Sequence, residues 1–226
     1  MKITILTLFP NIFETVLNTS ILGRAITKNL IEFEIVDLRQ SGLGKHKVVD
    51  SRVYGGGAGM LLRADVLAQA LKSVKTKSAK VILLSASGIS YSQKKAREYS
   101  KLSHLVLICG HYEGVDQRFI DKYVMEEIST GDYVLTGGEI PALAIIDSVV
   151  RLIPKVLVKE DATVDESFTE NLLEHPHFTR PNEFEGSLVP EVLKSGNHAE
   201  IKKWRDEKSL ERTKKVRPDL LKKNVR

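Results

Sequence analysis

The sequence predicts an α/β protein with a mostly parallel sheet covered on both faces, joined to a small helical carboxyl-terminal domain. Three observations carry that prediction. Short apolar runs alternate with helical patterns through the first two thirds of the chain, the order that builds a parallel sheet. Glycine-bearing turns at residues 85–88, 110–114 and 131–138 follow apolar runs, at the carboxyl edge where such sheets open a ligand crevice. Beyond Ile153 the apolar rhythm gives way to charge.

Taken in order, residues 3–9 form an apolar run ended by Pro10, the pattern of a buried strand. Residues 11–29 carry Ile12, Phe13, Val16, Leu17, Leu22 and Ile26 at helical spacing, with Asn11 as cap. A strand over 33–38 completes a β-α-β start. The polar stretch 39–63 contains YGGGAGM, and a loop of that length in a compact domain points to function. Helices over 64–74, 92–101 and 116–123 then alternate with strands over 80–85 and 104–109.

The rest is organised around residues 128–147, ISTGDYVLTGGEIPALAIID. An apolar end turns at Gly131-Asp132, runs through Tyr133-Val134-Leu135 and breaks at Gly137-Gly138. Glu139 and Pro141 then open a helix that is apolar on nearly every face up to Ile153. Two glycine turns around five ordinary residues mark backbone that chain or ligand approaches closely. Residues 154–171 lose periodicity and gather acidic side chains. Asn197 and Glu200 make a capping-box pair for a helix through Trp204 and Arg205. The expected organisation is a sheet domain over 1–158, a flexible linker over 159–170 and a helical domain over 171–226.

The 226 residues, 42% hydrophobic and 28% charged, suffice to bury a real core. Cys109 is the only cysteine, so internal disulfides and a thiolate zinc cage are excluded, and a reducing, cytoplasmic setting fits. No stretch approaches the roughly 20 apolar residues of a membrane span, so no membrane partner is expected. The net charge of +5 is unevenly placed. Residues 194–226 hold 12 Lys and Arg against 5 Asp and Glu, a net +7 that leaves −2 on the preceding 193 residues. A basic tail on a slightly acidic body suits a polyanionic partner, nucleic acid first; a solvated helical face is the alternative for that feature alone.

Neither common phosphate motif is present: YGGGAGM lacks the Lys-Ser/Thr of a P-loop, and LTGGE lacks G-x-G-x-x-G spacing. The six histidines follow no metal-ligand pattern, and no nucleophile elbow exists. What remains is a glycine-lined crevice suited to a nucleoside-bearing ligand held by backbone groups.

Six blocks, YGGGAGM, CGHYEGVD, ISTGDYVLTGGEIPA, IDSVVRLIP, HPHFTRP and SGNHAEIKKWR, stand in order over most of the chain. Together they resemble the bacterial tRNA (guanine-N1)-methyltransferases of the SPOUT superfamily. The resemblance implies methyl transfer from S-adenosylmethionine to N1 of the guanine at tRNA position 37, just 3′ of the anticodon. It also implies a deep trefoil knot, which pattern reasoning alone would reject, and a homodimer with active sites at the subunit interface. The family further suggests Mg²⁺, although no ligand cluster in this sequence declares a metal site. A catalytically inactive RNA-binding protein of the same fold is the rival reading.

Carried over by motif, Leu84, Gly110, Glu113, Ser129, Thr130, Gly131, Tyr133, Leu135, Gly137, Gly138 and Pro141 match the family's S-adenosylmethionine pocket. Tyr54, Gly55, His177, Thr179, Arg180, Ser195, Asn197 and His198 match segments near the RNA. Arg151 matches the active-site arginine, which would stabilise charge on O6 as the N1 proton leaves; spacing alone would give it an i,i+4 ion pair with Asp147. The family's base is an aspartate in Asp-Ser-Phe, fifteen residues after the arginine. Here Glu166-Ser167-Phe168 stands in that place, preceded by Asp165, so the base is Glu166 with Asp165 as the alternative.

Overall fold

In the computed structural model, which describes residues 1–74, 77–159, 163 and 166–224, the chain separates into two units, Met1–Val158 and Lys159–Arg226. The first unit carries strands β1 (Lys2–Thr7), β2 (Glu32–Asp37), β3 (Asp50–Arg52), β4 (Met60–Leu62), β5 (Ala79–Ser90), β6 (His104–Cys109) and β7 (Glu126–Ser129). Five of these form one sheet in the order β2-β1-β6-β5-β7, and every neighbouring pair is parallel. Strands β3 and β4 pair antiparallel on their own.

The two-residue period of a strand sends alternate side chains to opposite faces. Ile3, Ile5, Ile82, Leu84, Leu105 and Leu107 enter one core, whereas Leu6, Val81, Leu83, Val106 and Ile108 enter the other. The helices of this unit are α1 (Asn11–Leu17), α2 (Ser20–Thr27), α3 (Ala64–Ser73), α4 (Gln93–Tyr99), α5 (Gln117–Tyr123) and α6 (Glu139–Val150). The first core is covered by α1, α2, α4 and α6, through side chains such as Phe13, Leu22, Tyr99 and Ile145. The second is covered by α3 and α5, through Leu67, Ala70 and Phe119. Each fully buried aliphatic side chain is worth about 1.5–3 kcal/mol. Both faces of the sheet are therefore occupied, and its carboxyl edge is left for a site.

Three elements differ from the sequence expectation. The single helix over 11–29 is two, because the Asn18 side chain bonds back to the Glu14 carbonyl at 2.7 Å and Thr19 is extended. Such side-chain competition with the helix ladder is what Asn and Thr do mid-helix. Strand β5 runs to Ser90 rather than stopping near Ser85. Its pairing with β7 jumps from Leu84↔Ile128 to Ile89↔Ile128, so residues 85–88 bulge out while the strand resumes beyond them. The long polar stretch 39–63 is folded rather than loose, with the β3–β4 hairpin bringing Arg52 opposite Met60.

In the second unit the predicted helix is longer: α7 spans His198–Val216, 19 residues. Ion pairs Lys202–Asp206 (3.0 Å) and Lys208–Glu211 (2.8 Å) support its polar faces. Asn197 caps it, accepting from the backbone N–H of Ala199 and Glu200 at 3.2 and 3.4 Å. A two-stranded hairpin, β8 (Glu183–Phe184) and β9 (Ser187–Leu188), was not expected. Its turn puts Glu185 and Gly186 at positive φ, and Glu-Gly is a weaker signal for such turns than Asn-Gly. Thr213, fully buried, accepts from the Leu173 N–H at 2.8 Å and donates to the Ser209 carbonyl at 2.7 Å. Among the described residues no helix is long and apolar enough to cross a membrane.

Candidate active site

The bulge in β5 and the loops after β6 and β7 meet in a cleft of about 460 Å³ at the carboxyl edge of the sheet. Leu84, Gly110, Glu113, Ser129, Thr130, Gly131, Tyr133, Leu135, Gly137, Gly138 and Pro141 all line it. The structure thus brings together every residue that the sequence assigned to one pocket. Ser85, Ser87, Tyr112 and Thr136 line it too, from the same three glycine-bearing segments that the sequence placed at the crevice.

Backbone contacts build the walls. The Gly138 N–H donates to the Gly110 carbonyl at 2.8 Å, and His111 bridges to Gly137. A Cβ at Gly138 would stand 2.7 Å from Cys109 Cα and 2.9 Å from the Gly110 nitrogen, so only glycine lets the loop lie this close. The Ser129 hydroxyl donates to the Gly131 carbonyl at 2.9 Å and fixes the first turn. Glu113 is tied to the hairpin through its N–H, which donates to the Met60 carbonyl at 2.9 Å.

Two features escaped sequence reasoning. Glu139, read as a helix-opening residue, is 4% exposed, and its carboxylate accepts from the Thr7 hydroxyl at 2.8 Å. It stands behind Gly137 at the first turn of α6, where the helix dipole favours an anion. Cys109, also fully buried, has its thiol pushed well up by burial and then by the neighbouring Glu139. No local pattern announces a partner 132 residues away.

The cleft has a definite electrostatic character. Glu113 and Glu127 are its carboxylates, and no Lys or Arg is among its lining residues. It therefore suits a neutral or cationic nucleoside better than a phosphorylated one. Among the described residues no group of three His, Cys, Asp or Glu stands together as a metal would need.

The remaining candidates are distributed. Arg151, half-buried, caps the carboxyl end of α6, its N–H donating to the Asp147 carbonyl at 3.2 Å. Glu166, half-buried, belongs to the second unit, where its carbonyl accepts from the Thr169 N–H at 3.1 Å. Ser167 accepts from the Glu174 N–H at 3.1 Å, and the Phe168 ring lies 6.0 Å from the Arg217 guanidinium. Asp165 lies outside the described residues. Tyr54 and Gly55 sit in the β3–β4 turn, with Gly55 at φ +88°. In the second unit the His177 ring is tilted against that of His175 with centroids 4.5 Å apart, and its Nε2 is 2.8 Å from Glu174. Trp204 packs with His175 and Phe178, as a small-core residue does. Thr179, Arg180 and His198 are exposed, while Ser195 and Asn197 are engaged in the turn and cap before α7.

A parallel sheet with a backbone-walled, acid-lined cleft at its carboxyl edge defines an α/β protein with a ligand-sized crevice where such sheets hold their ligands. The family model for tRNA (guanine-1)-methyltransferase TrmD matches residues 1–223. The tRNA (guanine-N(1)-)-methyltransferase of Bacillus pumilus is 52% identical over 224 residues, covering 98% of this chain and 92% of that protein. Those of Listeria welshimeri and Bacillus subtilis are each 50% identical, over 98% of this chain and 92% and 93% of theirs. The chain belongs to this methyltransferase family, and it is an enzyme.

Proposed function

We propose that the protein methylates N1 of the guanine at position 37 of tRNA, with S-adenosylmethionine as donor, in the cytoplasm. The observation that carries this reading is that all eleven positions matching the family's cofactor pocket line one cleft in a chain of that family. The residues present fit the group. Glycine-rich backbone can approach an adenine edge, and the carboxylates of Glu113 and Glu127 favour a sulfonium and ammonium over a phosphate.

When bound, S-adenosylmethionine supplies an electrophilic methyl group that leaves its sulfur with the bonding pair. The protein's own task is to make N1 a nucleophile and to place it. Glu166 takes the N1 proton, and the pair left on nitrogen forms the new N–CH₃ bond. Negative charge that spreads to guanine O6 is met by Arg151, whose planar guanidinium stays protonated throughout. Glu166 keeps the spacing from Arg151 and the Ser-Phe that follows it, which favours it over Asp165 as the base.

The same reading extends to the deep knot and the homodimer. Exposed Ile12, Val16 and Ile140 on the mutually packed helices α1 and α6 support a partner subunit there. The test is calorimetry with S-adenosylmethionine, followed by methyl incorporation into unmodified tRNA and into a transcript with adenine at position 37. Binding with incorporation into the first alone is expected. Binding without incorporation into either would favour an inactive RNA-binding protein instead.

A further inference from the structure

A second cleft, of about 500 Å³, opens in the first unit. Its cations come from three places in the chain: Arg52 on β3, Arg63 just after β4, and Arg118 and Lys122 on α5. Asp65 and Asp116 face them, each holding its neighbouring arginine in a two-point pair with Nη2 to Oδ2 at 2.7 Å and Nε to Oδ1 at 3.0 Å. Four cations against two carboxylates leave a net +2. Each paired guanidinium keeps N–H donors beyond those its aspartate uses, now in a fixed orientation. Arg52 and Lys122 are exposed and have no carboxylate partner among the described residues.

Aromatic surface accompanies the charge. Tyr54 is 95% exposed, an uncommon position for a tyrosine. Arg63 and Arg118 have their pKa raised chiefly by the aspartates they are hydrogen-bonded to. An exposed ring beside fixed guanidiniums is the usual equipment for stacking a base while gripping its backbone.

Position gives this cleft its meaning. The segment joining β6 to α5 lines both clefts: Gly110 to Val115 face the first, and Asp116 faces the second together with Arg118 of α5. The hairpin is bonded to that segment by Leu62 N–H to the Gly114 carbonyl (3.0 Å) and Asp116 N–H to the Leu62 carbonyl (3.1 Å). One rigid seam thus separates an acid-lined cleft from a basic one. A polyanion whose target nucleoside enters the first is repelled there along its phosphates and attracted at the second.

We infer that Arg52, Arg63, Arg118 and Lys122 grip the phosphodiester backbone of the RNA beside the nucleotide being modified, with Tyr54 stacked on a neighbouring base. This rests on the reading of the first cleft as the methyl-transfer site. The full-length Arg52→Gln/Lys122→Gln variant would be compared with wild type by fluorescence anisotropy on unmodified tRNA across a salt titration, with S-adenosylmethionine calorimetry beside it. Two lost phosphate contacts should lower the magnitude of the log–log salt slope by about 1.4–1.8. Affinity for tRNA should fall about tenfold, and affinity for S-adenosylmethionine should not move. Tyr54→Ala should weaken RNA binding with the salt slope intact, and Tyr54→Phe should restore it. Unchanged tRNA affinity and slope in the double variant overturn the inference. Saturable binding of inorganic phosphate that the double variant loses, with the RNA slope unchanged, also overturns it in favour of a free anion. If wild type transfers no methyl group yet the slope falls as stated, the RNA grip stands and the methyl-transfer reading alone fails.

Discussion

Gly138 shapes the cleft by what it lacks. A methyl group there meets Cys109 and Gly110 backbone at under 3 Å, and neither can step aside as a flexible side chain would. Overpacking of this kind typically costs about 1–3 kcal/mol. Gly138→Ala should therefore weaken S-adenosylmethionine binding at least tenfold by calorimetry; unaltered affinity would mean the loop yields without disturbing the pocket. The proton acceptor is tested on the same scale. Loss of a general base costs about 10²–10⁴ in rate. Glu166→Gln should slow single-turnover methylation by that order with both ligand affinities kept, and Asp165→Asn should do much less. Exchange of those two outcomes would reassign the base.

Among the elements, β7 is held at its start by ions. Glu126 accepts from Lys80 at 2.6 Å, Lys95 at 2.9 Å and the buried Tyr99 hydroxyl at 2.6 Å. Burial works to raise its pKa, but the hydrogen bonds from Lys80, Tyr99 and Lys95 prevail and lower it to about 2, from 4.5. The unfolded chain therefore binds this proton more readily than the folded one. The contribution to stability is complete above pH 4.5 and is lost as pH falls toward 2. Glu126→Gln should cost about 1.5–3 kcal/mol at neutral pH. In urea titrations the variant should also show a shallower loss of stability than wild type across that acid window. Parallel losses would assign the titration to another group.

Most of the elements were legible in the sequence because burial on both faces leaves continuous apolar runs, as at residues 104–109. The cleft was legible because its walls are glycine turns and motif positions. The break at Asn18, the resumption of β5 beyond residue 88 and the β8–β9 hairpin were not. Each depends on a competition, between side chain and backbone or between one register and the next, that local composition leaves nearly balanced. The Glu139–Thr7 pair depends on tertiary proximity alone.

At the scale of the whole molecule, charge is segregated. The acid-lined cleft lies in the first unit, and the carboxyl-terminal stretch is basic. Residues 218–224 form a 3-10 turn packed on α7, and Leu220 is 5% exposed, so truncation would remove packing along with charge. Replacing Lys214, Lys215 and Lys222 by Gln keeps the fold. It should reduce the magnitude of the tRNA salt slope by about 2–3, leaving S-adenosylmethionine binding alone. An unchanged slope would show the tail to be a solvated face.

Cys109 gives the molecule a built-in clock. Its thiol is sealed at the end of the central strand β6 and held protonated, so a maleimide can reach it only during the moments when the middle of the sheet opens. With no second cysteine in the chain, the labelling rate reports one opening event, free of interference from the carboxyl-terminal unit. When opening and closing outpace labelling, that rate divided by the rate for an exposed thiol is the equilibrium population of the open sheet. The adjoining cleft shares its wall with this strand, so a ligand seated there should slow labelling by the factor one plus ligand concentration over Kd. An unmodified sample, timed with and without S-adenosylmethionine, would then yield the ligand's affinity with no turnover and no RNA present.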